Sequence, residues 1–169
     1  MSVSLRPLEE RDLRRIYDWQ RDPALYEHLV GDRREVGWDE ARDWMVRHWL
    51  SQRIDRRYAL CADGEMVGCV YLLAVPDGAG EREFHIFIGD TRQRGRGVGK
   101  QALAEALRIA FDDPDVSAVR LEVLETNTAA RRLYCDAGFA ETGRRQVAKR
   151  GETVDAIAMG LSAEDYRAR

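Results

Sequence analysis

The chain has 169 residues, 44% of them hydrophobic and 34% charged, and its formal net charge is −3. This length fits one domain, 1–169, with a single core, and the slightly acidic balance argues against nucleic acid as a partner. The apolar runs fall short of the roughly 18 residues that a membrane helix needs, and the N-terminus lacks the apolar segment of a signal peptide. We therefore expect a soluble cytoplasmic protein without a membrane partner.

The first half of the chain predicts one strand, two helices and a hairpin. A strand at 3–8 precedes apolar residues at helical spacing in 9–23 and 38–54. The second of these helices is expected to carry Trp44 and His48 on its apolar face. The following hairpin, within 58–75, turns at Asp63-Gly64, a dipeptide typical of tight hairpins.

The second half of the chain predicts a central β-α-β unit, a further helix and a closing hairpin that turns near Arg150-Gly151. These elements lie at 83–90, 98–111, 116–125, 127–139 and 140–161. The whole order is β-αα-β-β-β-α-β-α-β-β. It indicates an α/β protein of the α+β mixed-sheet type, with a central mixed β-sheet of about seven strands flanked by about four helices.

The segment RQRGRGVGKQAL, residues 92–103, joins a predicted strand to a predicted helix. The free N–H groups and the dipole of a helix start, together with glycine and arginine, suit a phosphate or pyrophosphate group. The spacing fails for a P-loop because Gly99-Lys100 is followed by Gln101. It fails for the G-x-G-x-x-G dinucleotide motif because Gly97 is followed two places on by Gly99. The pattern that remains is R-x-x-G-x-G over 94–99.

The cysteines and histidines show no pattern of a disulfide framework or of a metal site. The cysteine count is odd, no C-x-x-C pair occurs, and the histidines form no H-E-x-x-H motif. We expect reduced thiols and no metal. The residues concerned are Cys61, Cys69, Cys135, His28, His48 and His85.

The R-x-x-G-x-G segment resembles the pyrophosphate loop of the GNAT superfamily of N-acetyltransferases. LEVLETNTAARRLYCDAGF (121–139) is similar to that family's strand, asparagine and helix ending in L-Y-x-x-x-G-F. EFHIFIGD (83–90) and VDAIAMGL (154–161) are similar to strands of its RimJ/RimL-like branch. The resemblance covers nearly the whole chain and is weakest across 20–60. It implies the GNAT fold and acetyl-CoA as cosubstrate.

The resemblance also implies how acetyl-CoA binds. Its pantetheine arm is expected to pair with a strand backbone where two strands splay apart, and its pyrophosphate is expected at the glycine-rich turn. Asn127 is expected both to cap a helix and to contact the arm. The implied cofactor-binding residues are Ile86, Ile88, Arg94, Gly95, Arg96, Gly97, Val98, Gly99, Lys100, Asn127 and Arg131.

Acetyl transfer to an amine needs a base for the amine, a donor for the oxyanion and an acid for the leaving thiolate. The resemblance implies that Tyr134 is the acid, and a tyrosine is protonated at neutral pH without tuning. The alternative for Tyr134 is a core aromatic. Glu122 is the implied base, directly or through a water, and Glu83 is its competitor from the preceding strand. The alternative for Glu122 is an ordinary solvent-facing residue, and a backbone N–H near Ile88 is the expected oxyanion donor.

In this superfamily the N-terminal helical segment lines the acceptor site. The candidate substrate-binding residues are Trp19, Tyr26 and His28, with His85 from the strand at 83–90; ordinary packing is the alternative for each. Acidic residues of the N-terminal segment could attract a cationic amine or form a solvated face. They are Asp18, Glu27, Asp32, Glu35, Asp39 and Glu40.

The predicted function is an acetyl-CoA-dependent N-acetyltransferase that works by direct transfer in a ternary complex. The acceptor is a primary amine, either a protein N-terminal amine or a small amine. The rival class is a non-catalytic acyl-CoA-binding sensor, and the joint presence of Tyr134 and Glu122 argues against it. A ping-pong route through Cys135 is disfavoured because no histidine is paired with it in the motif. A homodimer is common for such domains, although no residue requires one.

Overall fold

The computed structural model describes residues 1–31, 35–51 and 54–169. Asp32 and positions 52–53 of the second predicted helix lie outside the described residues. The strands are β1 (Val3–Pro7), β2 (Arg56–Ala62), β3 (Glu65–Ala74), β4 (Glu81–Ile88), β5 (Ala118–Leu124), β6 (Ala140–Lys149) and β7 (Glu152–Ser162). They form one mixed sheet in the order β1-β2-β3-β4-β5-β7-β6.

Helices cover both faces of this sheet, which confirms the predicted mixed-sheet fold. The helices are α1 (Leu13–Gln20), α2 (Trp38–Met45), α3 (Val98–Phe111), α4 (Thr128–Asp136) and α5 (Ala163–Arg167). The larger core lies between the sheet and α3, α4 and α5. A second core packs α1 and α2 against the opposite face of β2, β3 and β4. The sheet is therefore the central layer, and each face has its own apolar cluster.

Both predicted hairpin turns are present. Asp63 and Gly64 have φ of 49° and 84°, and Arg150 and Gly151 have φ of 51° and 79°. Positive φ at both central residues matches the twist of two antiparallel strands, which is why aspartate and glycine favour this turn. The second hairpin joins β6 to β7, and its tip lies beside residues 27–31, since Arg150 pairs with Glu27.

The prediction for the second helix is wrong in two respects. The α-helix ends at Met45 and continues as a π-helical turn, Val46–Leu50. Ala41 and Met45 face the core, whereas Trp44 is 48% exposed because it lies about 100° around the helix from Met45. His48 is also exposed, and its ring stacks on Trp44 at 4.7 Å between centroids.

The C-terminal helix α5 was not expected from the sequence. Its start is set by Ser162, whose hydroxyl oxygen accepts a hydrogen bond from the N–H of Asp165 at 3.0 Å. Cys61 and Cys69 are buried, Cys135 is exposed, and all three are free thiols. Across 1–31, 35–51 and 54–169, no helix has the length and apolar character to span a bilayer. The same residues contain no group of three metal-ligating side chains.

Candidate active site

The sheet opens between its two parallel strands. β4 and β5 pair only through 81–83 and 118–120, while β4 runs on to Ile88 and β5 to Leu124. β4 pairs with β3 along one edge, and its other edge borders the opening at Ile86 and Ile88. A strand edge of this kind can hold an extended amide-bearing chain as an added strand.

The glycine-rich turn lies at the end of β4 and leads into α3. Gly95 and Gly97 have φ of 71° and 81°, a backbone region that L side chains rarely adopt. Gly97 is the N-cap of the 14-residue helix, and no side chain caps its first turn. The first N–H groups of α3 and the helix dipole therefore offer a site for an anionic group.

The two arginines of the turn make different contacts. Arg94 folds back onto β4, where its Nε and Nη2 donate to the carbonyl oxygen of Ile88 at 3.1 and 2.9 Å. Arg96 donates to Oε1 of Gln93 at 3.3 Å and is exposed. Of the two, Arg96 has the guanidinium that is more readily available to an incoming phosphate.

The first residues of α3 also differ in what they can offer a ligand. The Val98 side chain is buried in the larger core, so that only its backbone can face a ligand. A Cβ added at Gly99 would lie 3.8 Å from Leu133 and 4.0 Å from the side chain of Ile88. Gly99 therefore lies where α3, α4 and β4 meet. Lys100 is exposed and adds positive charge next to the turn.

Asn127 joins the opening to the N-terminal segment. Its Oδ1 accepts from the N–H of Ala130 at 3.2 Å, which caps α4 as expected. Its Nδ2 donates to the carbonyl oxygen of His28 at 3.3 Å. Arg131, one turn along α4, donates to the carbonyl oxygen of Glu125 at 3.4 Å. Both side chains thus hold the loop between β5 and α4.

Tyr134 lies on α4 and is 7% exposed. Its ring meets Phe84 edge-on, with centroids 6.2 Å apart, and Phe139 at 5.9 Å. Burial disfavours the phenolate and raises the pKa of Tyr134 to about 12. The hydroxyl group is therefore protonated across the neutral range and can act as a donor. Phe84 is the first residue of β4 beyond its pairing with β5, so that Tyr134 lies at the start of the opening.

Glu122 lies on β5 and is held by an arginine that the sequence did not indicate. Nε and Nη2 of Arg145 on β6 donate to the two carboxylate oxygens at 2.7 and 2.6 Å. The hydrogen bonds that Arg145 donates to Glu122 raise the pKa of Arg145. A bidentate pair uses one lone-pair position on each oxygen and leaves others free. Glu122 can thus still accept a further hydrogen bond.

Glu83 and His85 form a second polar pair, on β4. Nε2 of His85 lies 2.8 Å from Oε1 of Glu83, and Nη2 of Arg120 on β5 lies 3.6 Å from Oε2. The hydrogen bond from His85 lowers the pKa of Glu83, burial opposes this shift, and the charges of His85 and Arg120 add to the lowering. Glu83 is therefore a carboxylate at neutral pH.

The candidate acid and the candidate bases lie on opposite faces of the sheet. Phe84 and Ile86 pack into the core that contains Tyr134, so strand alternation directs Glu83 and His85 to the other face. The same alternation on β5 separates buried Leu121 from Glu122. A group that passes through the opening would have a phenol on one side and carboxylates on the other.

Trp19 and Tyr26 pack in the second core. The Trp19 ring lies directly on Gly89, because a Cβ added there would be 2.1 Å from the ring, and it meets Phe87 edge-on at 6.2 Å. Tyr26 is partly buried against the same cluster. These contacts fit the packing alternative, and contact with an acceptor stays a prediction for both residues.

His28 lines a pocket of about 260 Å³ at the tip of the β6–β7 hairpin. The other lining residues are Glu27, Thr126, Lys149 and Arg150. Arg150 pairs with Glu27 at 2.9 Å, so the carboxylate here is already neutralised. Asp18, another acidic residue of the predicted acceptor segment, pairs with Arg14. Both carboxylates therefore already have a cationic partner from the chain itself.

Comparisons with known proteins identify the family of the chain. A family model for an acetyltransferase (GNAT) domain matches residues 2–140, which is most of the chain. The spermidine N(1)-acetyltransferase of Escherichia coli (strain K12) is 27% identical over 169 residues, covering 99% of this chain and 89% of the relative. The aminoglycoside N(6')-acetyltransferase type 1 of Klebsiella pneumoniae is 25% identical over 152 residues, covering 84% and 76%.

A solved structure has the same fold. Spermidine N-acetyltransferase from Vibrio cholerae, in complex with CoA and spermine, matches with a TM-score of 0.88 at 24% identity and 98% coverage of both chains. The RimJ/RimL-like branch is not distinguished by these matches and stays a prediction. The chain belongs to the GNAT family: it is an N-acetyltransferase whose acyl donor is acetyl-CoA.

Proposed function

We propose that the enzyme transfers the acetyl group from acetyl-CoA directly to the primary amine of a small molecule, within a ternary complex. The named activities of its relatives, on spermidine and on aminoglycosides, support a small amine. They lend no support to the other predicted acceptor, a protein N-terminal amine. The observation that carries the proposal is the opening between β4 and β5, with Tyr134 on one face and Glu83 and Glu122 on the other.

The residues around the opening fit acetyl-CoA. The backbone of Ile86 and Ile88 would pair with the pantetheine arm, and Asn127 would contact it. The turn at 94–97 and the first N–H groups of α3 would hold the pyrophosphate, with Arg96 and Lys100 adding charge. Arg131 lies near the N-terminal end of α4, as Asn127 does. Bound in this way, the cosubstrate supplies an activated acetyl thioester.

The chain's own groups then have defined roles. Glu122 or Glu83, directly or through a water, takes a proton from the acceptor ammonium, and the free amine attacks the thioester carbon. A backbone N–H near Ile88 stabilises the oxyanion. As the C–N bond forms and the C–S bond breaks, Tyr134 gives its proton to the leaving sulfur. His85 and Arg120 keep Glu83 ionised.

A covalent acetyl-cysteine intermediate is not part of this proposal. Cys135 follows Tyr134 on α4, and its side chain is exposed while Tyr134 is buried. Consecutive residues on a helix point about 100° apart, so that Cys135 does not share the direction of Tyr134.

Turnover of acetyl-CoA across a panel of amines tests the proposal. Free thiol release and the mass of the product would be measured with polyamines, amino sugars, aminoglycosides and N-terminal peptides. Saturable release with a small amine is the expected result. Release with peptides alone would show that the acceptor class is wrong, and CoA binding without release with any amine would contradict catalysis.

Tyr134→Phe tests the role of the acid. We expect kcat to fall about a hundredfold because the thiolate loses its proton donor, with KM for acetyl-CoA unchanged. Because the pKa of Tyr134 is raised to about 12, the wild-type donor stays protonated up to strongly alkaline pH. Tyr134 should therefore not limit the rate between pH 6 and about pH 10. Cys135→Ser is the matched control, and an equal loss of kcat in both variants would argue against the assignment.

A further inference from the structure

We propose that Arg145 is a specificity-determining residue that acts through Glu122. Its guanidinium forms an ion pair with the carboxylate of Glu122, on the face of the sheet where the acceptor would bind. A second positive charge on the acceptor would have to compete with Arg145 for this carboxylate, so acceptors with two positive charges are disfavoured. This inference rests on the proposed function, because it takes the face of the sheet that carries Glu122 as the acceptor side.

The fold makes this contact through a strand with small side chains. β7 lies between β5 and β6, so Arg145 must reach across it to meet Glu122. In the register, Glu122 is opposite Ala158, and Arg145 is opposite Ala156. Two alanines leave room for the long arginine side chain to lie over the strand. The Arg145–Glu122 ion pair therefore lies over the methyl groups of Ala156 and Ala158, near the β4–β5 opening.

Glu83, the second carboxylate on this face, also has basic partners from the chain. Glu83 has His85 at 2.8 Å and Arg120 at 3.6 Å, and Arg120 in turn lies 3.4 Å from Glu81. Glu83 and Glu122 each have a cationic partner from the chain itself. An ammonium group that approaches either one must therefore compete with a protein cation rather than enter an open acidic site.

Of these partners, Arg145 is the one best placed to be displaced. Its side chain is 57% exposed and that of Glu122 is 32% exposed, so water and salt screen the pair. Ion pairs in such settings contribute little to folding, so Arg145 can be displaced without unfolding the chain. An incoming ammonium must nevertheless first break its two hydrogen bonds to Glu122. The competition weakens the binding of any acceptor that uses Glu122 for a second cation. A monocation that gives its proton to Glu83 leaves the Arg145–Glu122 pair intact, so that its binding does not depend on Arg145.

The test compares a dication with a monocation. The probes are 1,4-diaminobutane and 1-aminobutane, measured as competitors of the best acceptor that the wild type turns over. In Arg145→Gln, the freed carboxylate should tighten binding of the diamine about fivefold, while binding of the monoamine changes less than twofold. Raising the salt concentration should erase the gain. Arg145→Lys should restore the wild-type ratio, because it restores the cation.

Arg144→Gln is the matched control. Arg144 is the preceding residue on β6, faces the other side of the sheet opposite buried Ile157, and pairs with Glu125 and Glu141. The Arg144→Gln substitution removes the same charge from the same strand, and the ratio of diamine to monoamine affinity should stay at the wild-type value. An equal change in both variants, or no change in Arg145→Gln, would overturn the inference. A wild type that turns over none of the amines would instead contradict the proposed function.

Discussion

Arg94 begins the R-x-x-G-x-G motif, yet its guanidinium contacts the protein. It donates two hydrogen bonds to the carbonyl oxygen of Ile88, the last residue of β4. The motif was expected to place this side chain on the pyrophosphate of acetyl-CoA. In the structure it ties the turn to the end of the strand that borders the opening. We therefore expect Arg94 to position the turn, a role that spacing alone did not indicate, and its contact with the pyrophosphate stays a prediction.

Two thioesters separate these roles of Arg94. S-acetylpantetheine carries the arm and the acetyl group but ends before the pyrophosphate. If Arg94 positions β4, Arg94→Ala should lower kcat/KM about tenfold for both acetyl-CoA and S-acetylpantetheine, because two charge-assisted hydrogen bonds are lost. Lys100→Gln, a matched loss of charge, should affect acetyl-CoA alone. A loss confined to acetyl-CoA in Arg94→Ala would instead indicate direct contact with the pyrophosphate.

The candidate bases also show how much a single residue depends on its neighbours. Sequence patterns alone identify Glu83, Glu122 and His85 as polar residues in strands. They do not reveal that Glu83 and His85 bond to each other or that Arg145 holds Glu122. The last pair joins residues 23 positions apart, through a strand that lies between them. No local periodicity records such a contact.

Helix α1 is anchored to β1 by a buried ion pair. Asp12 is 5% exposed, and its two oxygens accept from Nη1 and Nη2 of Arg6 at 2.7 and 2.8 Å. One of these oxygens also accepts from the N–H of Glu9 at 2.9 Å. Burial alone would raise the pKa of Asp12, but the hydrogen bonds from Arg6 and Glu9 and the charge of Arg6 outweigh it and lower the pKa. The carboxylate of Asp12 thus fixes the start of α1 against β1.

Asp12→Asn should destabilise the fold by about 2 kcal/mol at pH 7. This is below the roughly 3–5 kcal/mol of a fully buried pair because Arg6 is about a third exposed. Since the pKa of Asp12 is lowered by folding, its contribution is present above the ordinary aspartate pKa and is lost as the pH falls through the folded value. Urea denaturation from pH 7 to pH 3 measures this: the difference between wild type and variant should shrink with acid. A difference that stays constant would contradict the assignment.

Local rules predicted the element boundaries well where turns and caps are strong. The hairpin turns at Asp63-Gly64 and Arg150-Gly151 and the cap of α4 at Asn127 are all where the sequence indicated. Prediction was poorer at the end of α2, where the helix changes to a π-helical turn. It was also poorer at α5, whose five residues are too few for a periodic pattern.

The central sheet of the molecule has two parts, β1 to β4 and β5 to β7, which join through a short parallel pairing of β4 with β5. Only 81–83 and 118–120 pair β4 with β5, and beyond this point the strands separate. Acetyl-CoA bound in the opening would contact both parts, through β4 and α3 on one side and the β5–α4 loop on the other. Because acetyl-CoA would bind the folded state and not the unfolded chain, its binding should stabilise the entire fold.

Thermal unfolding measures this coupling. CoA at one hundred times its Kd should add about 2.7 kcal/mol of stability, which for a chain of this length corresponds to an increase in Tm of about 5–10 °C. ATP and NAD at the same concentration should produce much smaller shifts, because the turn fits neither the P-loop nor the dinucleotide spacing. A shift with ATP or NAD equal to that with CoA would contradict the assignment of the turn.

The sequence by itself determined the order of the seven strands and of α1 to α4, both hairpin turns and the glycine-rich turn at 94–99. These depend on spacing within a few residues, where backbone geometry and hydrophobic periodicity act directly. Only the tertiary structure decided the partners of the site residues: Arg145 on Glu122, Arg94 on Ile88, and His85 on Glu83. Those contacts depend on strand order, on the register across β7 and on where β4 and β5 part. Register and order follow from burying both faces of the sheet at once, which is a property of the whole chain.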